Sequence, residues 1–214
     1  MFISLKKLIE ESELINVDDP EEIYITSKVS WEIYEALLVR LEDNFHYRLT
    51  YLDGVLEIVS PSIRHEKVKK NLAMLLEYSL CEKGISYIAM GSTTFRNKAK
   101  KAGIQPDECC CIGVQKNIPD IAIQVNITNG NIDKLETYRR LGIKEVWMWK
   151  TNELNIYHLR EEMPLRFVDT YGYERITTSG FLPELDISLL SRCTLITDSL
   201  QCIEEFDQAL RSNH

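Results

Sequence analysis

The sequence predicts one α/β domain built on a mixed central sheet flanked by helices. Three observations predict it. Short β-rich runs recur along the chain, apolar stripes at helical spacing separate them, and no repeat, low-complexity tract or linker breaks the alternation. The 214 residues, 44% hydrophobic and 27% charged, suffice for a sizeable core in an ordinary globular class.

The elements follow in order. Residues 1–26 are acidic and weakly patterned, with Glu10, Glu11, Asp18, Asp19, Glu21 and Glu22. They are expected to form an arm with one short helix, so that residues 1–24 precede a domain spanning 25–214. Ser27 or Ser30 can cap the next helix, in which Trp31, Tyr34, Leu38 and Leu41 recur at helical spacing. Two β-rich runs, 47–52 and 55–59, flank Asp53-Gly54, a strong hairpin signal. A second helix covers about 64–82 and stops at Lys83-Gly84. Residues 85–90 read as a strand and 96–105 as a basic loop. Strands at 107–112 and 119–126 precede a helix at 131–142. Residues 145–149 and 154–159 read as a hairpin, and 171–176 as a short strand. The chain ends in a helix striped by Leu200, Ile203, Phe206 and Leu210.

Composition excludes several classes. Lys and Arg number 25 against 33 Asp and Glu, a formal net charge of −8, which argues against a simple cationic nucleic-acid binder. A nuclease survives that argument, because its acids add negative charge and its phosphate contacts can be local. No apolar run approaches the roughly 18–20 residues of a membrane span, and the start lacks the apolar core of a signal peptide. The expected location is cytoplasmic, with no membrane partner. Neither a Gly-x-Gly-x-x-Gly loop nor a Walker loop is present, which speaks against a nucleotide cofactor. The six cysteines, at 81, 109, 110, 111, 193 and 202, show no Cys-x-x-Cys spacing. Consecutive strand cysteines point to opposite faces, so these read as small buried apolar residues.

The residues that carry chemistry lie in the middle of the chain. Pro106-Asp107 and Pro119-Asp120 each open a predicted strand. Alternation puts Asp107, Cys109 and Cys111 on one face, and Asp120, Ala122 and Gln124 on one face of the next strand. The run 121–125 is apolar except at Gln124, and a buried amide must find partners. On the following helix Lys134 shares the apolar side with Tyr138 and Leu141; a lysine there needs an acidic partner or a wet cleft. Asp133 and Glu136 read as a solvated face. In the 64–82 helix, His65 falls inside the arc of Val68, Leu72, Leu75 and Leu76, with Glu66 off its centre. Eight of the 25 basic residues fall in 64–70 and 96–101; Arg64, Lys67, Arg96 and Lys98 are the candidates to meet a phosphate backbone. Acids on adjacent strands with an inward lysine suit metal-assisted phosphodiester hydrolysis.

These motifs resemble the Uma-two family of restriction endonucleases, a branch of the PD-(D/E)XK nuclease superfamily. The resemblance covers about residues 25–190. It rests on the run Asp53 to Ser62 followed by His65, then Pro106-Asp107, Pro119-Asp120 through Val125, Asp133-Lys134 through Tyr138, and Leu141-Gly142 through Trp147. It implies a restriction-endonuclease-like fold, DNA as substrate, a divalent ion (Mg2+ or Mn2+) and, as in many such folds, a homodimer. Asp107 matches the family's first catalytic aspartate, Lys134 the lysine of the later helix, and His65 a histidine common in the family. Position 124 matches the metal-binding glutamate but holds Gln124, which can offer a carbonyl oxygen without charge. Asn126 stands where the superfamily's usual lysine belongs, so Lys134 has to reach in from its helix. The implied metal ligands are Asp107 and Gln124, with Asp120 or Glu57 as possible compensation. Two rivals remain: a nuclease scaffold that has lost catalysis and binds DNA or protein, and an interaction protein that dimerises through exposed aromatics of the Trp147–Trp149 strand.

Overall fold

The computed structural model describes residues 21–41, 46–127, 133–160 and 165–212. Two sheets organise them. The first has the order β1-β3-β2-β6-β5 and is antiparallel throughout. Its strands are β1 (Glu22–Thr26), β2 (Arg48–Leu52), β3 (Val55–Ser60), β5 (Phe95–Asn97) and β6 (Ala102–Ile104). The second has the order β11-β10-β9-β8-β7-β4. It contains β4 (Tyr87–Ala89), β7 (Glu108–Ile112), β8 (Ile121–Asn126), β9 (Glu145–Lys150), β10 (Glu153–Leu159) and β11 (Tyr173–Ile176). Only β8 and β9 run parallel in it, so this is the expected mixed sheet. A parallel pair needs a crossover, and helix α3 (Lys134–Leu141) supplies it.

Helices α1 (Trp31–Arg40), α2 (Ile63–Glu82), α4 (Ile187–Thr194) and α5 (Ser199–Ser212) complete the framework. Ser30, one of two expected caps, accepts a hydrogen bond from the Ile33 N–H at 3.3 Å. Ser62 caps α2 through the His65 N–H at 3.1 Å. Helices α2, α4 and α5 cover one face of the mixed sheet, burying Leu72, Leu76, Leu190 and Phe206 against Ile121, Ile123, Trp147 and Trp149. The other face meets α3 and the smaller sheet through Cys109, Ala122, Val146, Tyr138, Ala102 and Ile104. A third cluster joins α1 to β2 and β3 through Trp31, Tyr34, Leu49, Tyr51 and Leu56.

Several expectations change. The basic loop at 96–105 is the β5–β6 hairpin; its strands are three residues each, too short to announce an alternation. β1 begins at Glu22, inside the stretch expected as an arm, and pairs with β3. The short helix expected earlier in that arm lies outside the described residues. In α5 the buried stripe centres on Cys202 and Phe206, while Leu200 is exposed. Trp147 and Trp149 are fully buried, so they offer no exposed aromatic surface for dimerisation. Cys109, Cys110, Cys111, Cys193 and Cys202 are buried as expected, whereas Cys81 is exposed. Burial pushes the Cys109 and Cys110 thiols up to about 12.

Candidate active site

The chain passes from one sheet to the other at Gln105-Pro106, and this crossing places the candidate site. Gln105 still belongs to the first sheet: its N–H donates to Leu49 O at 3.2 Å and its side chain accepts from Leu49 N at 2.9 Å. Pro106 has no N–H to give. Asp107 then joins the second sheet, its N–H donating to Ile123 O at 3.0 Å. Its carboxylate is thereby fixed beside β8, buried to 1% exposure.

Asp107 is densely partnered. Oδ2 accepts from the Val125 N–H at 2.7 Å and from the Gln124 amide Nε2 at 2.8 Å. Oδ1 lies 2.9 Å from His65 Nε2. Burial alone would raise this carboxyl; the charge and hydrogen bond of His65, the nearby Lys134 ammonium and the Val125 N–H instead hold it below the usual aspartate range. Gln124 in turn accepts at Oε1 from the Tyr138 hydroxyl at 2.9 Å. Its amide is thus held at both ends, which settles how the suspect polar group in an apolar strand is satisfied.

His65 sits in the first turn of α2, buried between two carboxylates. Nδ1 is 2.5 Å from Glu21 Oε1 and Nε2 faces Asp107. Burial favours the neutral ring, yet the Asp107 charge and the bonds to Asp107 and Glu21 outweigh it and lift the imidazole to about 9. The ring is a cation at neutral pH with both nitrogens engaged.

Lys134 opens α3, whose cap Asp133 accepts from the Leu135 N–H at 3.1 Å. The lysine is on the apolar side as expected, its side chain 10% exposed. Nζ donates to Asn126 Oδ1 at 3.4 Å and lies 3.3 Å from Glu57 Oε1. The helix ammonium therefore reaches in from α3 to Asn126 at the end of β8. Glu57, from β3, is wholly buried, and neither of its oxygens has an aligned hydrogen-bond donor. Its nearest compensation is the Lys134 charge.

The structure thus gathers Asp107, Gln124, His65 and Lys134 with Glu57, one of the two acids raised as compensation for Gln124, and adds Glu21 and Tyr138. Glu57 carried the signal that exposed Gln124: an acid inside an apolar run, Val55-Leu56-Glu57-Ile58-Val59. Glu21 carried none, being one acid among several in the weakly patterned arm. Asp120 is not part of the group. Its Oδ2 accepts from the Ile112 N–H at 2.8 Å and pairs with Lys116 at 2.5 Å, closing the β7–β8 turn. Glu136, expected on a solvated face, is buried under Arg139 and Arg140, with contacts of 2.6–2.7 Å.

The four basic candidates fare unequally. Lys67 is exposed and lines a groove of about 580 Å3 beside the start of α2, with Arg48, Lys69 and Lys70. Arg64 donates to Asn152 Oδ1 at 2.9 Å. Arg96 and Lys98 reach Glu35 and Glu32 of α1, at 3.8 and 2.9 Å, which spends their charge locally.

The oxygens of Asp107, Glu57 and Gln124 are hard donors of the kind that suit Mg2+ or Mn2+, and the buried Glu57 carboxylate, paired in charge with Lys134, has no aligned hydrogen-bond donor on either oxygen. Among the described residues, however, no three His, Cys, Asp or Glu side chains converge as a ready-made ligand set. Gln124 presents its NH2, not its carbonyl, to Asp107. The donors fit a divalent ion in chemical type, and Gln124 could offer its carbonyl only with that amide turned over.

Comparison with known proteins returns one family. A family model described as "Uma2: Putative restriction endonuclease" matches residues 31–189. No curated protein matches the chain.

Proposed function

Because the chain belongs to the Uma2 family, with well over half of its length matched, we propose that it is an attenuated DNA endonuclease working by metal-assisted phosphodiester hydrolysis. One observation carries the reading: the strand acid Asp107 and the helix ammonium Lys134 share a single buried cluster instead of opening on separate surfaces. Asp107 and Glu57 would hold the ion, with Gln124 as a neutral third donor. When bound, such an ion supplies charge neutralisation at the phosphate and a water of lowered pKa.

The chain's own residues do the rest. Lys134 offers a fixed positive charge, tethered through Asn126 and Glu57, where negative charge develops on the phosphate. His65 is a positioning residue. As a cation with both nitrogens occupied it cannot take a proton; it aims Asp107 and is itself aimed by Glu21. Exposed Lys67 gives a phosphate backbone local attraction despite the acidic total, while its groove neighbours Arg48 and Lys69 are paired with Glu66 and Lys70 with Glu108. Replacing the family carboxylate by Gln124 removes a ligand charge; losing even an outer-shell partner weakens a metal site by about 10–100-fold, and a lost ligand charge should cost at least as much.

A cleavage assay on duplex and single-stranded DNA with Mg2+ or Mn2+ tests the reading. Gln124→Glu should raise the rate by at least about tenfold, and Asp107→Ala should abolish it. Equal rates in all three proteins would overturn it. The rival reading, a DNA-binding scaffold without hydrolysis, draws support from the Gln124 to Asp107 bond; it predicts salt-dependent DNA binding and no cleavage even by Gln124→Glu.

A further inference from the structure

We infer that the Gln124 amide stands in for a cation at this centre, latching Asp107 and β8 together so that the site folds without metal. The inference rests on reading the cluster as a cation-type centre, but it concerns the empty state and needs no cleavage.

The geometry makes the case. Gln124 Nε2 donates to Asp107 Oδ2 at 2.8 Å, a contact in which a glutamate at 124 would set oxygen against oxygen. Both residues are at least 96% buried. Two carboxylates at that separation, shielded from water, cannot both stay ionised unless a cation lies between them. With glutamine the same contact is a charge-assisted hydrogen bond. The other end of the amide is satisfied as well, since Oε1 accepts from Tyr138. Turning the amide to offer its carbonyl to an ion would set acceptor against acceptor at Asp107 until the ion arrived. Metal entry therefore has to break the amide–carboxylate bond in this chain, whereas in a glutamate variant it would displace the proton shared by the two carboxylates.

Thermal melting of the full chain, in EDTA and in millimolar Mn2+ without DNA, tests the latch. The native chain should melt within about 2 °C in the two conditions, as expected of weak ion binding. Gln124→Glu should melt about 10 °C lower in EDTA, the scale of an uncompensated buried charge in a chain of this size, and recover in Mn2+. Gln124→Leu removes the same donor without adding charge. It should melt below the native chain in EDTA and, unlike Gln124→Glu, gain nothing from Mn2+, which keeps the test decisive if Gln124→Glu alone cannot be recovered. The latch is overturned if either variant melts like the native chain in EDTA, or if Mn2+ stabilises the native chain as much as it stabilises Gln124→Glu. Failure of cleavage with this melting pattern intact would refute the hydrolase reading alone.

Discussion

His65 shows how much a single side chain can contribute when two acids flank it. Its folded-state value of about 9 lies above the ordinary 6.5, so the folded chain holds this proton more tightly than the unfolded one. The resulting stability is complete below about 6.5 and is lost as pH climbs through 9. The shift corresponds to something on the order of 3 kcal/mol. Denaturant unfolding in EDTA should therefore show stability falling between neutral pH and about 10, and His65→Gln should flatten that slope while lowering stability at neutral pH. Asp107 adds the opposite limb, because its depressed value means stability is lost as pH drops below the usual aspartate range. At this scale the sequence was readable wherever a polar group interrupted an apolar pattern: Gln124, Lys134 and His65 stood out that way. Glu21 could not, since its importance comes from a long-range contact across 44 positions. Glu136 misled because a helix-surface acid becomes buried once two arginines fold over it.

Among the elements, the β5–β6 hairpin is where pattern reading failed and packing explains why. Its turn is set by the Asn97 side chain accepting from the Lys100 N–H at 3.1 Å and by Lys101 at φ 48°, chemistry that reads as an ordinary basic loop. Its strands are held by neighbours: Gly103 faces Tyr51 of β2 and Arg96 of β5. The absence of a side chain there admits the Tyr34 ring, which stacks on Tyr51 with centroids 4.9 Å apart. A Cβ at Gly103 would sit 2.8 Å from Tyr34 Cζ and Cε1, and closer still to its hydroxyl. Tyr34 is fully buried and cannot swing away. Gly103→Ala should accordingly cost about 1–3 kcal/mol in urea unfolding, and a cost within error would show that α1 can shift to make room. The longer elements, α2 and β8 among them, were readable to within a few residues because their apolar periods persist over enough positions to be unambiguous.

For the molecule as a whole, the two sheets are joined by charges as well as by apolar packing. Glu57 of β3 meets Lys134 of α3, and Asp53 beyond β2 meets Arg140 at the other end of that helix. The inner pair is the costly one to break, because among the described residues Glu57 has no other ion pair, and it has no exposure. Lys134→Ala should lose about 3–5 kcal/mol, whereas Lys134→Met combined with Glu57→Leu should recover much of it; equal losses in single and double variants would deny the coupling. The α/β class and the mixed sheet were evident from the alternation of periods, but the separate five-stranded sheet was not. Sheet membership depends on which strands pair at long range, and local pattern carries no record of that. The placement of the three tryptophans turns this division into something that can be watched. Trp31 lies in the cluster of the smaller sheet, while Trp147 and Trp149 lie under the helices of the larger one. Intrinsic fluorescence thus carries a separate reporter for each half, and the order in which the two sheets come apart can be followed by light without any label.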